Sequence, residues 1–145
     1  MTTLAQAKDE IAGAFRDAWL ADPLSAELPV LYLDVADGAP TSGAWARLTV
    51  RHSLGGQATL AGDSGTRHYR DTGFVTVQIF VERHDPAGAE TTLDALVAIA
   101  KNAFRGLTTS PGRVAFHRVR VNEVGVSGVW LQTNVLADFE YDEVR

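Results

Sequence analysis

Residues 129–141 read V-W-L-Q-T-N-V-L-A-D-F-E-Y, and apolar and polar side chains alternate over most of this stretch. Successive side chains of a strand point to opposite faces of a sheet, so the pattern predicts a long strand with one apolar face. Similar alternation at residues 44–52 and 74–82 predicts two further strands. A fourth run, residues 114–121, is separated from the first by turn-forming residues at 122–128, which predicts a hairpin.

Two segments with helical periodicity complete the pattern. Apolar residues recur at helical spacing from about Leu4 to Trp19, and Thr3 lies where a capping box would begin. A second helix is predicted around residues 93–104 and ends before Gly106, because glycine commonly follows the last helical residue. The sequence leaves its start open among three positions: Asp85-Pro86, Thr91 and Thr92.

The chain of 145 residues has the length of one domain, and we predict a single α+β domain over residues 1–145. Its sheet is antiparallel or mixed, two helices pack on one face, and the elements follow the order α-β-β-β-α-β-β. The absence of cysteine excludes disulfides, thiolate zinc sites and a cysteine nucleophile. The longest unbroken apolar run, residues 95–100, is far too short to cross a membrane.

One segment, residues 53–71, lies between two predicted strands and is much longer than the usual hairpin loop of about 2–5 residues. It contains few apolar residues. We therefore expect a mobile arm or a long hairpin at about 53–71, made flexible by four glycines: Gly55, Gly56, Gly62 and Gly65.

No pattern in the sequence predicts catalysis. The four histidines do not fall at metal-binding spacings, and residues 125–128 differ from a nucleophile elbow in glycine spacing and in context. We therefore predict no enzyme activity, no metal and no cofactor. One alternative stays open, a small ligand-binding domain or enzyme with a cavity between sheet and helices, lined by Phe74, Phe80 or Trp130.

The charged residues favour a protein interface. Eighteen acidic and thirteen basic residues give a net charge of −5, which argues against a broad nucleic-acid-binding surface. Arginine outnumbers lysine eleven to two, and its planar fork suits pairing with carboxylates. We predict that cations and acids form opposite sides of a subunit or partner interface, with these residues as candidates: Arg67, Arg70, Arg118, Arg120, Asp138 and Glu140. A DNA-contacting connector with inward-facing Arg67, Arg70 or Arg113 remains the alternative.

The order of elements and three local strings resemble the tail terminator proteins of long-tailed bacteriophages and of phage-like particles such as gene transfer agents. The strings are W-A-R-L-T-V at 45–50, G-F-V-T-V-Q-I-F at 73–80, and W-L-Q-T-N-V at 130–135, the last ending in F-E-Y at 139–141. The resemblance spans about residues 3–142. It rests on packing and edge-strand patterns.

The resemblance implies a non-enzymatic virion protein at the head–tail junction, assembled in the cytoplasm of a bacterial host. It implies a hexameric ring that caps the head-proximal end of the tail tube, stops elongation and offers a joining surface to the head. Its partners would be the major tail tube protein and a head-completion or neck protein. No sequence-specific nucleic-acid binding is implied, only passive contact with DNA in the ring lumen. A neighbouring head–tail connector is the alternative within the same kind of particle.

Overall fold

The computed structural model describes residues 2–32, 40–57, 68–86 and 88–144. Two helices and five strands follow the predicted α-β-β-β-α-β-β order, which confirms the α+β class. The elements are α1 (Leu4–Ala21), β1 (Val30–Tyr32), β2 (Trp45–Gln57), β3 (His68–Glu82), α2 (Ala89–Phe104), β4 (Ala115–Ser127) and β5 (Trp130–Val144).

The strands form one mixed sheet in the order β1-β2-β3-β5-β4. The short strand β1 runs parallel to β2, and every other neighbouring pair is antiparallel. Strands β3 and β5 form the centre and pair over their full lengths, from His68 opposite Val144 to Glu82 opposite Trp130. The long alternating stretch that predicted β5 is thus a central strand, whereas β1 and β4 form the two edges.

The core lies between one face of the sheet and the two helices. Alternate residues of β3 from Val75 to Val81 are fully buried on this face, as the period of two predicts. Phe15 of α1 joins the helices, since its ring centroid lies 5.2 Å from that of Trp19 and 6.1 Å from that of Phe104 on α2. Packing of these rings holds α1 and α2 against each other.

The predicted start of α1 is confirmed, because the Thr3 hydroxyl accepts a hydrogen bond from the Gln6 amide at 3.1 Å. The predicted start of α2 is wrong. The N-cap is Gly88, with a φ of 93° and no side-chain cap, so its backbone conformation decides the boundary instead of a polar side chain. Gly106 follows α2 with a φ of 67°, as expected for a helix-ending glycine.

Of the two forms expected at 53–71, a mobile arm or a long hairpin, the described residues take the second, because β2 and β3 continue into the segment as a hairpin. Gly55 and Gly56 lie in β2 opposite Asp71 and Arg70, and the last pair joins Gln57 to Tyr69. Cross-strand pairing uses backbone groups, so it extends through residues without apolar periodicity. The rest of the predicted arm, residues 58–67 with Gly62, Gly65 and Arg67, lies outside the described residues.

Candidate interaction surface

Two of the predicted arginines converge on one carboxylate at the β4 edge. The pairing of β4 with β5 shifts register between His117 and Arg120, and Arg118 takes a φ of 53° in this bulge. The shift brings an Nη1 of Arg118 within 3.4 Å and an Nη1 of Arg120 within 3.0 Å of the Asp138 carboxylate. Two exposed cations therefore share a single anion on the β4 edge.

Arg70 forms the second pair, across the central strands. It lies directly opposite Asp142 in the register of β3 and β5, and its Nε lies 3.2 Å from a carboxylate oxygen of Asp142. This hydrogen bond is the main cause that raises the pKa of Arg70, and the charges of Asp142 and Glu140 add to it. About half of each paired side chain is exposed, so the pair adds little stability.

The predicted interface would set Arg70, Arg118 and Arg120 opposite the acids of a neighbouring subunit. Within one subunit, the same three arginines already pair with Asp142 and Asp138. The reason is the antiparallel register, which sets residues distant in sequence directly across from one another. Glu140 faces Thr72 on β3 and Ala115 on β4, and it contributes its charge near Arg70.

An open cleft of about 410 Å³, which no pattern in the sequence predicted, lies beside the Arg70–Asp142 pair. Gly112 lines this cleft; its carbonyl accepts a hydrogen bond from the Thr2 hydroxyl at 2.6 Å, and its amide donates to Glu10 at 3.0 Å. These partners lie more than 100 positions apart along the chain, so no local pattern could have indicated them. Arg113 also lines the cleft, from a left-handed backbone conformation with a φ of 56°.

The aromatic residues proposed to line an internal ligand cavity lie on the other face of the sheet. Phe80 stacks on Trp45 with ring centroids 4.2 Å apart, and Trp130 meets both rings edge-on. Phe74 has the same parity on β3 as Phe80, opposite the buried valines. The placement of these rings between the sheet and the helices is therefore wrong. The helices pack on the more apolar face, which carries the buried valines of β3.

His52 on β2 contacts two aromatic side chains of β5. His52 Nε2 lies 2.8 Å from the Tyr141 hydroxyl, and its ring meets Phe139 edge-on. Partial burial lowers the pKa of His52, and the positive charge of Lys8 adds to this effect. In the described parts of the chain, no three histidine, aspartate or glutamate side chains come together as a metal site.

Among the described residues, no helix is long and apolar enough to span a membrane.

No family model and no curated protein matches the chain. Solved structures share its fold, and two of them align with nearly the whole chain. One, which carries no descriptive name, is 14% identical, aligns over 100% of this chain and 99% of its own, and has a TM-score of 0.71. The other belongs to the "Virion of native gene transfer agent (GTA) particle"; it is 16% identical, aligns over 94% of this chain and 97% of its own, and has a TM-score of 0.53.

Proposed function

We propose that this chain is a structural protein of a phage-like particle and acts as a tail terminator. The observation that carries the proposal is its similarity in fold to a chain of the gene transfer agent virion, which covers nearly the whole of both chains. The strings that resemble tail terminators in sequence lie in β2, β3 and β5, the central strands of the shared sheet. The sequence resemblance and the fold therefore support the same class of protein.

The surface chemistry also suits assembly. The long β2–β3 hairpin extends the sheet well beyond the start of β4, since Gln57 pairs with Tyr69 while β4 begins opposite Glu140. Such a projection offers backbone and side chains to a partner without disturbing the core. The outer face of the sheet presents polar, uncharged side chains at the centre, among them Gln78, Gln132 and Asn134. A partner could cover this region without burying charged groups, which are rare at the centre of protein interfaces.

A terminator stops growth by binding to the open end of a tube without forming a new binding surface for further tube subunits. The ring must match the major tail tube protein on one side and differ from it on the other, where a head-completion or neck protein would join. A ring of head-to-tail subunits, which we propose to be hexameric, satisfies this requirement. The protein would then be located at the head–tail junction and would contact DNA in the lumen only passively.

Deletion of the gene, followed by electron microscopy of particles, tests the function. We expect heads without tails and tubes of irregular, often excessive length, with normal particles restored by the wild-type gene. Tails of normal length firmly joined to heads would refute the proposal. Normal-length tails left unattached would instead assign the chain to a head–tail connector.

A further inference from the structure

The sheet is narrower at one end than across its middle. Five strands pair in the middle, but β1 pairs with β2 only as far as Leu48, and β4 begins opposite Glu140. Beyond these positions only β2, β3 and β5 continue. We call this part the three-stranded tip; it consists of residues 55–57 of β2, 69–71 of β3 and 141–143 of β5. In the described part of the chain, no strand pairs with either outer edge of the tip.

On the β5 edge of the tip, the backbone of Asp142 faces the open side. Hydrogen-bonded and non-hydrogen-bonded pairs alternate along an antiparallel ladder. The Arg83 amide donates to the Val129 carbonyl at 2.8 Å, and no register shift interrupts the pairing of β3 with β5. Odd-numbered residues of β5 therefore bond to β3, whereas the N–H and C=O of Asp142 point away from it. Asp142 is exposed and lines the open cleft described above, so this edge is accessible.

On the β2 edge of the tip, the outward-facing residues are Gly55 and Gln57. The Ala46 amide donates to the carbonyl of the residue before β1, so even-numbered residues in the first part of β2 face the β1 side. The register shift between His52 and Leu54 inserts one residue and exchanges the two sets. Beyond this shift, the N–H and C=O of Gly55 and Gln57 point away from β3.

The two open edges match each other without a shift along the strands. Both β2 and β5 are antiparallel to β3, so they run parallel to each other. Gly56 and Asp142 both lie opposite Arg70, which sets them at the same height. In a parallel ladder, a residue bonds to the two residues that flank its counterpart. The Asp142 N–H of one copy would thus donate to the Gly55 carbonyl of a second copy, whose Gln57 amide would donate to the Asp142 carbonyl.

We propose that the β2 edge of the tip in one copy of this chain pairs with the β5 edge of the tip in the next copy. The contact joins different edges, so repetition gives a closed ring when the rotation between neighbours closes. Rotation without translation keeps residues at the same height along the ring axis, as the match of Gly56 with Asp142 requires. In the closed ring no edge of the tip remains unpaired. The inference rests on the proposed ring and assigns its subunit contact.

The glycines of β2 favour strand addition at the tip. Gly55 and Gly56 carry no side chains, and glycine within a strand often marks a place where another backbone approaches closely. The edge of β4 differs, because two register shifts interrupt its pairing with β5. Bulges of this kind protect an edge from strand addition. The tip, where β5 is regular, is therefore better suited to accept a strand than the edge of β4.

The absence of cysteine from the chain allows a direct test by disulfide formation. Gln57 and Glu143 both lie opposite Tyr69, so the proposed pairing sets them on adjacent strands of two copies. Adjacent strands lie about 4.8 Å apart, which suits a disulfide. Within one copy β3 separates the two positions by about 10 Å, which is too far for a disulfide.

The single variants Gln57→Cys and Glu143→Cys are mixed and oxidised with oxidised glutathione. We expect a disulfide-linked heterodimer several-fold more abundant than in a mixture of Gln57→Cys with Val129→Cys. Val129 is a matched control, since it is 63% exposed and lies just before the other end of β5. No excess over this control, or homodimers as abundant as the heterodimer, would overturn the proposed contact.

Gln57→Pro tests the backbone pairing separately. It removes an N–H that points away from β3, and an edge strand tolerates proline at such a position. The melting temperature should stay close to that of the control Gln57→Ala, while the ring fraction, measured by light-scattering mass, should fall several-fold. Rings in normal amount from Gln57→Pro would overturn the pairing.

Failure of this contact is distinguishable from failure of the proposed function. Overgrown tubes in the deletion strain without the disulfide would keep the terminator and remove this contact. The disulfide together with normal tails in the deletion strain would keep the contact and remove the terminator.

Discussion

Gly73 packs at the base of the β2–β3 hairpin, where no side chain fits. It lies opposite His52 on β2 and opposite Phe139 on β5. A Cβ at this position would overlap the Arg51 carbonyl oxygen and would lie 2.7 Å from Phe139 Cζ and 2.9 Å from His52 Cα. Gly73→Ala must therefore displace either the backbone of β2 or a fully buried aromatic ring.

Overpacking a well-filled core costs about 1–3 kcal/mol. Two of the three atoms nearest the added methyl group belong to the backbone of the neighbouring strand, which cannot move aside as the end of a flexible side chain can. We therefore expect Gly73→Ala to lower the free energy of unfolding by about 3 kcal/mol, the upper end of that range.

Denaturant unfolding followed by circular dichroism measures this loss, with Gly13→Ala as the matched control. Gly13 lies in α1, and among the residues that the structure describes only Arg16 comes within reach of a new Cβ, at 3.7 Å. The same substitution there should raise stability by about 0.5–1 kcal/mol, because alanine favours a helix over glycine. A Gly73→Ala variant as stable as the wild type would refute the close approach of the three strands.

Three further substitutions give distinct expected outcomes. Thr3→Ala removes the α1 cap and should lower the free energy of unfolding, measured by chemical denaturation, by about 1 kcal/mol; an unchanged free energy would mean that the cap is not formed. Burial lowers the pKa of His52, so the unfolded chain binds the proton more readily and stability should fall as pH drops below about 6.5. His52→Gln should weaken the dependence of the melting temperature on pH between about pH 8 and pH 5, and the same dependence as in the wild type would contradict this. Asp138→Asn should lower the free energy of unfolding by no more than about 1 kcal/mol, because the side chains of its partners Arg118 and Arg120 are 73% and 42% exposed; a loss of several kcal/mol would show that the ion pairs are buried.

Local signals in the sequence predicted the elements that depend on local interactions. The start of α1 follows from Thr3 and from apolar spacing, and the centre of β3 follows from alternating residues with one fully buried face. The start of α2 could not be predicted in this way. Gly88 begins the helix through its positive φ, and no side-chain hydrogen bond marks the boundary.

The candidate surface was only partly predictable for the same reason. Arg118 and Arg120 stand out as a dense cluster in the sequence, but their pairing with Asp138 depends on a bulge in β4. The register of the β2–β3 hairpin likewise extends through Gly55 and Gly56, which carry no side-chain pattern. Contacts set by strand register are absent from any local window of sequence.

Tube assembly in vitro tests the terminator proposal most directly. Purified protein is added in increasing amounts to polymerising tail tube protein, and tube lengths and the positions of labelled protein are measured by electron microscopy. We expect label only at tube ends and a mean length that falls until each growing end carries one ring, with no further effect beyond that ratio. Unchanged tube lengths, or label distributed along the tube walls, would contradict the proposal.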